Sequence, residues 1–218
     1  MPNRVFLFDV DNTLLDNDHL QDELKAHLAQ AYGEAARDRY WAIYQQLFAE
    51  LGYADYIGAL ERYRLERLHD PQLLQMANWM VDYPFAERLY PGALAAVAHA
   101  KELGGVSILS DGDAMFQPIK IARAGLQAAF EGAVLIYVHK EQELADVEHW
   151  RPARHYVMID DKPRILGAMK KTWGPKVTTV WVKQGHYAAE PGAWNGWPGP
   201  DREIAAIADF AGLSFPDP

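Results

Sequence analysis

Five short runs of β-branched and aromatic residues recur along the chain, each ending in polar residues: 4–8, 105–109, 133–138, 155–159 and 176–182. Their apolar positions are nearly continuous rather than alternating, which is the pattern of strands buried on both faces of a parallel sheet. Helical patterns fill the intervals. Segment 92–103 is Ala-rich, preceded by Pro91 and followed by Gly104-Gly105, so it has the Pro-first, Gly-last signature of a helix. Segments 119–130 and 163–173 predict two more helices, and 201–210, after Pro198-Gly199-Pro200, predicts a closing one. This alternation predicts an α/β fold with a doubly wound, mostly parallel, Rossmann-like sheet.

The interval between the first two strands has a different texture. Segments 18–32, 36–51, 55–68 and 71–81 read as amphipathic helices rich in Tyr, Gln, Arg and Leu. A connection that long exceeds ordinary crossovers and predicts its own small helical domain, 16–87, set into a core of 1–15 and 88–218. Within it Arg62, Tyr63 and Arg64 read as a solvated or interdomain face, as do His19, His27 and His69. Segment 186–200, with Trp194 and Trp197 among Gly and Pro, predicts a packed irregular loop.

Composition narrows the class. The chain has 218 residues, half of them apolar and 23% charged, which describes a globular protein with a sizeable core. The net charge of −9 disfavours a nucleic-acid polymer as partner, because phosphate-backbone binding needs a dense Lys/Arg face. The absence of cysteine removes disulfides, thiolate metal sites and a Cys nucleophile. No stretch has the length and apolarity of a membrane span, and Asp9 ends an N-terminal apolar run too short for a signal peptide. A soluble cytoplasmic protein, monomer or homodimer, is the expectation.

The candidate chemistry sits at strand ends. Phe8-Asp9-Val10-Asp11-Asn12-Thr13-Leu14 follows the first strand, and ligands in open α/β sheets bind at the carboxyl ends of strands. Strand alternation leaves Asp9 and Asp11 on one side of the chain. A second acidic pair, Asp160-Asp161, ends the fourth run, followed by Lys162. Oxygen ligands without Cys favour a hard cation, and Mg²⁺ takes one or two carboxylates together with phosphate and water. Ser110-Asp111-Gly112-Asp113 ends the second run, where a hydroxyl and following backbone N–H groups suit a phosphate oxygen. Lys140 lies just beyond the third.

Acid pair, hydroxyl, lysine, acid pair: in that order the chain resembles the haloacid dehalogenase-like superfamily, over residues 4 to about 182. The resemblance implies that Asp9 is a nucleophile forming an aspartyl-phosphate and that Asp11 is its acid/base, with a backbone carbonyl toward Mg²⁺. It implies that Ser110 and Lys140 hold phosphate, with Asn12, Thr13, Asp111 and Gly112 around them. Asp161 is then the metal ligand and Asp160 its support. The helical domain becomes a cap that closes over the site and selects the substrate.

Family members that break carbon–halogen bonds usually lack the second Asp, because a halide leaves without a proton. Asp11 therefore favours a Mg²⁺-dependent phosphomonoesterase acting on a small phosphorylated metabolite. A 2-haloacid dehalogenase and a non-catalytic binding relative are the alternatives. Three departures from the family pattern stand out: Asp111 where Asn is frequent, the extra charge of Asp113, and Glu141-Gln142-Glu143 after Lys140 in place of the frequent Pro. Lys162 is a second candidate for the phosphate-site cation.

Overall fold

The computed structural model describes residues 3–215. Six strands form one sheet: β1 (Arg4–Phe8), β2 (Gly105–Asp111), β3 (Val134–Tyr137), β4 (His155–Asp160), β5 (Val177–Val182) and β6 (Arg202–Ile204). They lie in the order β3-β2-β1-β4-β5-β6, and every pairing is parallel. The order reverses at β1, whose Phe8 stands beside Ile108 of β2 on one side and Ile159 of β4 on the other. That reversal is the switch point where crevices open in doubly wound sheets.

The near-continuous apolar runs have the cause read from them. Phe6, Phe8, Ile108, Val157 and Ile159 pack into the core on one face of the sheet. Val5, Leu7, Leu109, Tyr156 and Met158 pack into a second core on the other. Helices α5 (Ala93–Leu103), α6 (Phe116–Arg123) and α7 (Leu126–Ala129) cover the first face. Helices α8 (Leu144–Trp150) and α9 (Pro163–Trp173) cover the second.

Three elements differ from the sequence expectation. The single helix over 119–130 is two, α6 and α7, because Gly125 takes a left-handed backbone (φ 78°) and breaks the run. The closing helix over 201–210 is instead β6 followed by a 3₁₀ turn over Ile207–Gly212. Backbone pairing to β5 from Val180–Arg202 to Val182–Ile204 claims the segment that periodicity assigned to a helix. Helix α8 is additional; only Leu144 and Val147 of its seven residues are buried, too few for a periodic signal.

The interval between β1 and α5 holds α1 (Asn17–Tyr32), α2 (Glu34–Leu51), α3 (Tyr56–Arg64) and α4 (Gln72–Asp82). Leu20, Leu24 and Leu28 make one stripe of α1 at a spacing of four, the helical repeat. They pack with Tyr40, Ile43 and Leu47 of α2, Tyr56 and Leu60 of α3 and Met76 and Met80 of α4. This core is continuous with the first face of the sheet. Tyr63 belongs to it too, buried in the helical core where a solvated or interdomain face was expected, while Arg62 and Arg64 do lie outside in exposed pairs with Glu50 and Glu61. His27 is also drawn inward, stacked on Trp79 at 4.6 Å. Among the described residues no helix is long and apolar enough to cross a membrane.

Candidate active site

The site begins where β1 runs out. The Asp9 N–H donates to Ile159 O at 2.9 Å, so the ladder to β4 holds the backbone one residue past the strand. The chain then curls through 10–15: the N–H groups of Leu14 and Leu15 both donate to Val10 O, and buried Val10, Leu14 and Leu15 anchor the turn. Asn12 occupies the left-handed region (φ 59°), which Asn tolerates better than most residues. Its Oδ1 accepts from Asn17 N and Asp18 N, tying the turn to the start of α1. Thr13 is fully buried beneath the turn.

Asp9 is 2% exposed, and Lys140 reaches it from the far side of β2. The Lys140 Nζ lies 2.6 Å from Asp9 Oδ1, 2.7 Å from Asp160 Oδ2 and 3.2 Å from Leu109 O. Burial by itself would lower the pKa of this ammonium, but the carboxylates of Asp160, Asp9 and Asp111 around it outweigh burial and raise it. Asp111 Oδ1 accepts the Lys140 N–H at 2.7 Å, so the residue standing in place of the frequent Asn fastens the lysine-bearing turn. Asp113 is an N-terminal cap of α6, accepting from Met115 N and Phe116 N.

Asp160 and Asp161 complete a buried trio with Asp9, with one carboxylate oxygen from each lying within 4.8 Å of the others. Asp160 Oδ1 accepts Lys162 N at 2.8 Å. Burial pushes the Asp160 carboxyl up to about 6 against the pull of Lys140, and pushes Asp161 well above the usual carboxylate range. Both oxygens of Asp161 and Oδ2 of Asp9 are buried without a hydrogen-bond partner. Buried carboxylate oxygens rarely stay unmatched, and convergent oxygen donors of this kind fit a hard divalent cation. Charge supports the fit: Asp9, Asp11, Asp111, Asp160 and Asp161 stand against Lys120, Lys140 and Lys162, an excess of two negative charges.

Ser110 is buried at the end of β2, its Oγ accepting from Gln117 Nε2 at 2.9 Å. The Gly112 N–H is engaged with Tyr137 O, so it is not available as a phosphate donor in this arrangement. Asp11 lies apart from the buried trio, its Oδ1 2.7 Å from Lys120 Nζ. A cavity of about 490 Å³ opens beyond it, lined among others by Asp11, Asn17, Tyr44, Lys162, Arg164 and Tyr187. That volume falls in the range of small-molecule sites. Lys162 places its Nζ 5.4 Å from the Tyr187 ring centroid on this wall, so it faces the cavity while Lys140 is sealed against Asp9. Burial pushes the Tyr44 phenol up to about 12, which keeps it a neutral hydrogen-bonding group at neutral pH.

Lys120, Gln117 and Asn17 were not anticipated from the sequence. The two α6 residues are three apart, on one face of that helix. Nothing in the local sequence of α6 sets Lys120 and Gln117 apart, because their partners Asp11 and Ser110 come from other elements.

The chain matches the family model of the haloacid dehalogenase-like hydrolases over residues 3–171. A haloacid dehalogenase-like hydrolase from Burkholderia xenovorans is 54% identical, with TM-score 0.92, over 97% of this chain and 96% of that one. An L-2-haloacid dehalogenase from Xanthobacter autotrophicus, solved with chloropropionic acid covalently bound, has the same fold at 21% identity and TM-score 0.64, covering 98% of each chain. A hydrolase of this family from Bacillus subtilis, solved bound to magnesium, aligns at 16% identity and TM-score 0.64, over 96% of this chain and 97% of that one. No curated protein matches the chain. The chain belongs to the haloacid dehalogenase-like hydrolases.

Proposed function

We propose that the protein is a phosphomonoesterase for a small phosphorylated metabolite, with Asp9 as nucleophile and Asp11 as acid/base. The observation that carries this reading is the separation of the two carboxylates. Asp9 lies in a buried cluster against Lys140, while Asp11 lines the substrate-sized cavity outside it. A halide would leave without needing a proton, so a second carboxylate on the cavity wall favours an alcohol leaving group.

In the first step an Asp9 oxygen attacks phosphorus and the bond from phosphorus to the ester oxygen breaks. The electron pair leaves on that oxygen, which takes a proton from Asp11. In the second, water attacks the aspartyl-phosphate, gives its proton to Asp11 and returns the electron pair to Asp9. Lys140 offsets the charge that gathers as an anionic phosphate meets a carboxylate, the dominant difficulty in phosphoryl transfer. Ser110 would hold a phosphate oxygen, and Asn12, Thr13, Asp111 and Gly112 shape the surrounding turns.

Asp9 and Asp161 would hold Mg²⁺, with the Asp11 backbone carbonyl alongside and Asp160 supporting them through Lys140. When bound, the ion would neutralise phosphate charge. Helices α1–α4, within 16–87, act as the cap: Asn17 and Tyr44 bring them to the cavity wall, where they exclude water and choose the substrate.

A panel of sugar phosphates, nucleotides and phosphoamino acids, assayed with and without Mg²⁺, tests the reading, with 2-chloropropionate as a further substrate. Phosphate release that needs Mg²⁺ and vanishes in Asp9→Asn is expected. Halide release without phosphate hydrolysis would replace the phosphatase reading with a dehalogenase.

A further inference from the structure

Lys120 is a charged side chain with 1% exposure, and the mechanism above does not use it. It enters from α6, 109 positions after Asp11. Its Nζ is 2.7 Å from Asp11 Oδ1 and 3.2 Å from Asn17 Oδ1, at the first residue of α1. One turn earlier on α6, Gln117 Nε2 reaches Ser110 Oγ at 2.9 Å and Asp11 Oδ2 only at 3.5 Å. One oxygen of Asp11 is thus held by a short charged contact, and the other is left at the limit of a weak one. An ammonium buried this completely is costly to place unless it is paired.

We propose that Lys120 is a positioning residue for proton transfer. It pins Asp11 through Oδ1, so that Oδ2 is the oxygen that gives the proton to the departing alkoxide and receives it back from water. Its contact to Asn17 sets this orientation relative to the helix that borders the cavity. The inference rests on the phosphomonoesterase reading and adds to it which group aims the acid. A carboxylate free to rotate would spend much of its time misaligned, and misalignment on the scale of an ångström is enough to slow a transfer strongly.

The test compares the unaltered protein with Lys120→Met, Asp11→Asn and the double variant on two esters. An alkyl phosphate needs a proton on its leaving oxygen; p-nitrophenyl phosphate releases a stable phenolate that does not. For Lys120→Met, kcat on the alkyl ester is expected to fall about tenfold or more, KM to stay within about twofold, and the first-turnover burst of p-nitrophenolate, which needs no proton from Asp11, to lose much less. In the Asp11→Asn background the second substitution is expected to add no further loss. Lys120→Gln, which keeps a donor at this place, is expected to recover part of the alkyl-ester rate and serves the same comparison if the methionine chain does not fold. Equal losses in the alkyl-ester kcat and in the p-nitrophenolate burst, or a full additional loss in the Asp11→Asn background, would overturn the role given to Lys120 alone. Failure of the unaltered protein to hydrolyse either ester would overturn the reading of the site, and this inference with it.

Discussion

The Lys140 ammonium touches Asp9 at 2.6 Å from a position with no exposure to solvent. The same ammonium lies 2.7 Å from Asp160, so one cation holds the candidate nucleophile and the end of β4 together. Removing it leaves two carboxylates buried without the cation in contact with them. Lys140→Met is therefore expected to lower stability by about 3–5 kcal/mol as well as to abolish turnover. Urea denaturation gives the number, and a loss under about 1 kcal/mol would show that the pair matters little to the fold.

Asp161 presents the opposite case, a carboxylate buried with both oxygens unmatched. Mg²⁺ is expected to raise the melting temperature progressively, gaining about 2.7 kcal/mol at a hundredfold excess over its dissociation constant. Asp161→Asn removes a carboxyl whose ionised form burial opposes, so without metal this variant should be at least as stable as the parent. It should also lose most of the Mg²⁺ shift. A variant that melts lower without metal and still responds fully to Mg²⁺ would remove Asp161 from the ligand set.

Gly52, just past α2, marks where the helical block meets the turn carrying Lys140. Its backbone is left-handed (φ 80°), and a Cβ there would lie 2.4 Å from the His139 ring. Gly52→Ala should cost about 1–2 kcal/mol from the backbone, with the clash in addition. Gly52→Ala combined with His139→Ala should recover the clash part only, a non-additivity that a double-mutant cycle on thermal unfolding measures. Additive effects would mean that the two do not meet in solution.

Burial holds His27 below the ordinary imidazole pKa, stacked on Trp79. Above about pH 6.5 the ring is neutral in both folded and unfolded chains and contributes no pH dependence. Below it the unfolded chain takes up a proton that the folded one resists, so stability falls with falling pH until the folded value is passed. His27→Phe keeps a ring against Trp79 and removes this contribution. The drop in melting temperature between pH 7.5 and 5.5 should be smaller in the variant, and an equal drop would show that His27 is not responsible.

Much of this was legible along the chain because local chemistry and final position agree. The strand from Arg4 to Phe8 is apolar on both sides because both faces are covered, and Asp9 must follow where the cover ends. The helix Pro163–Trp173 is announced by its own first proline and lies where it was predicted. Other features depend on partners far off in sequence. The segment 202–204 is a strand only because β5 has an open edge beside it. Lys120 reads as an ordinary lysine in a helix until α6 is docked against the turn after β1, which no periodicity reveals. Asp113 looked like one charge too many near a phosphate and proved to be a helix cap, a role set by backbone direction.

The central place of β1 has a consequence for how the protein is made. Asp9 leaves the ribosome 131 residues before the lysine that neutralises it. At ordinary rates of synthesis the wait is on the order of 10 s. Until β4 follows, the first strand has no neighbour on that side, and the acidic pair that completes the buried trio does not yet exist. A nascent chain stalled before the third strand therefore carries its candidate nucleophile without any site. Only when the fourth strand slides in does the molecule acquire its centre and its chemistry together.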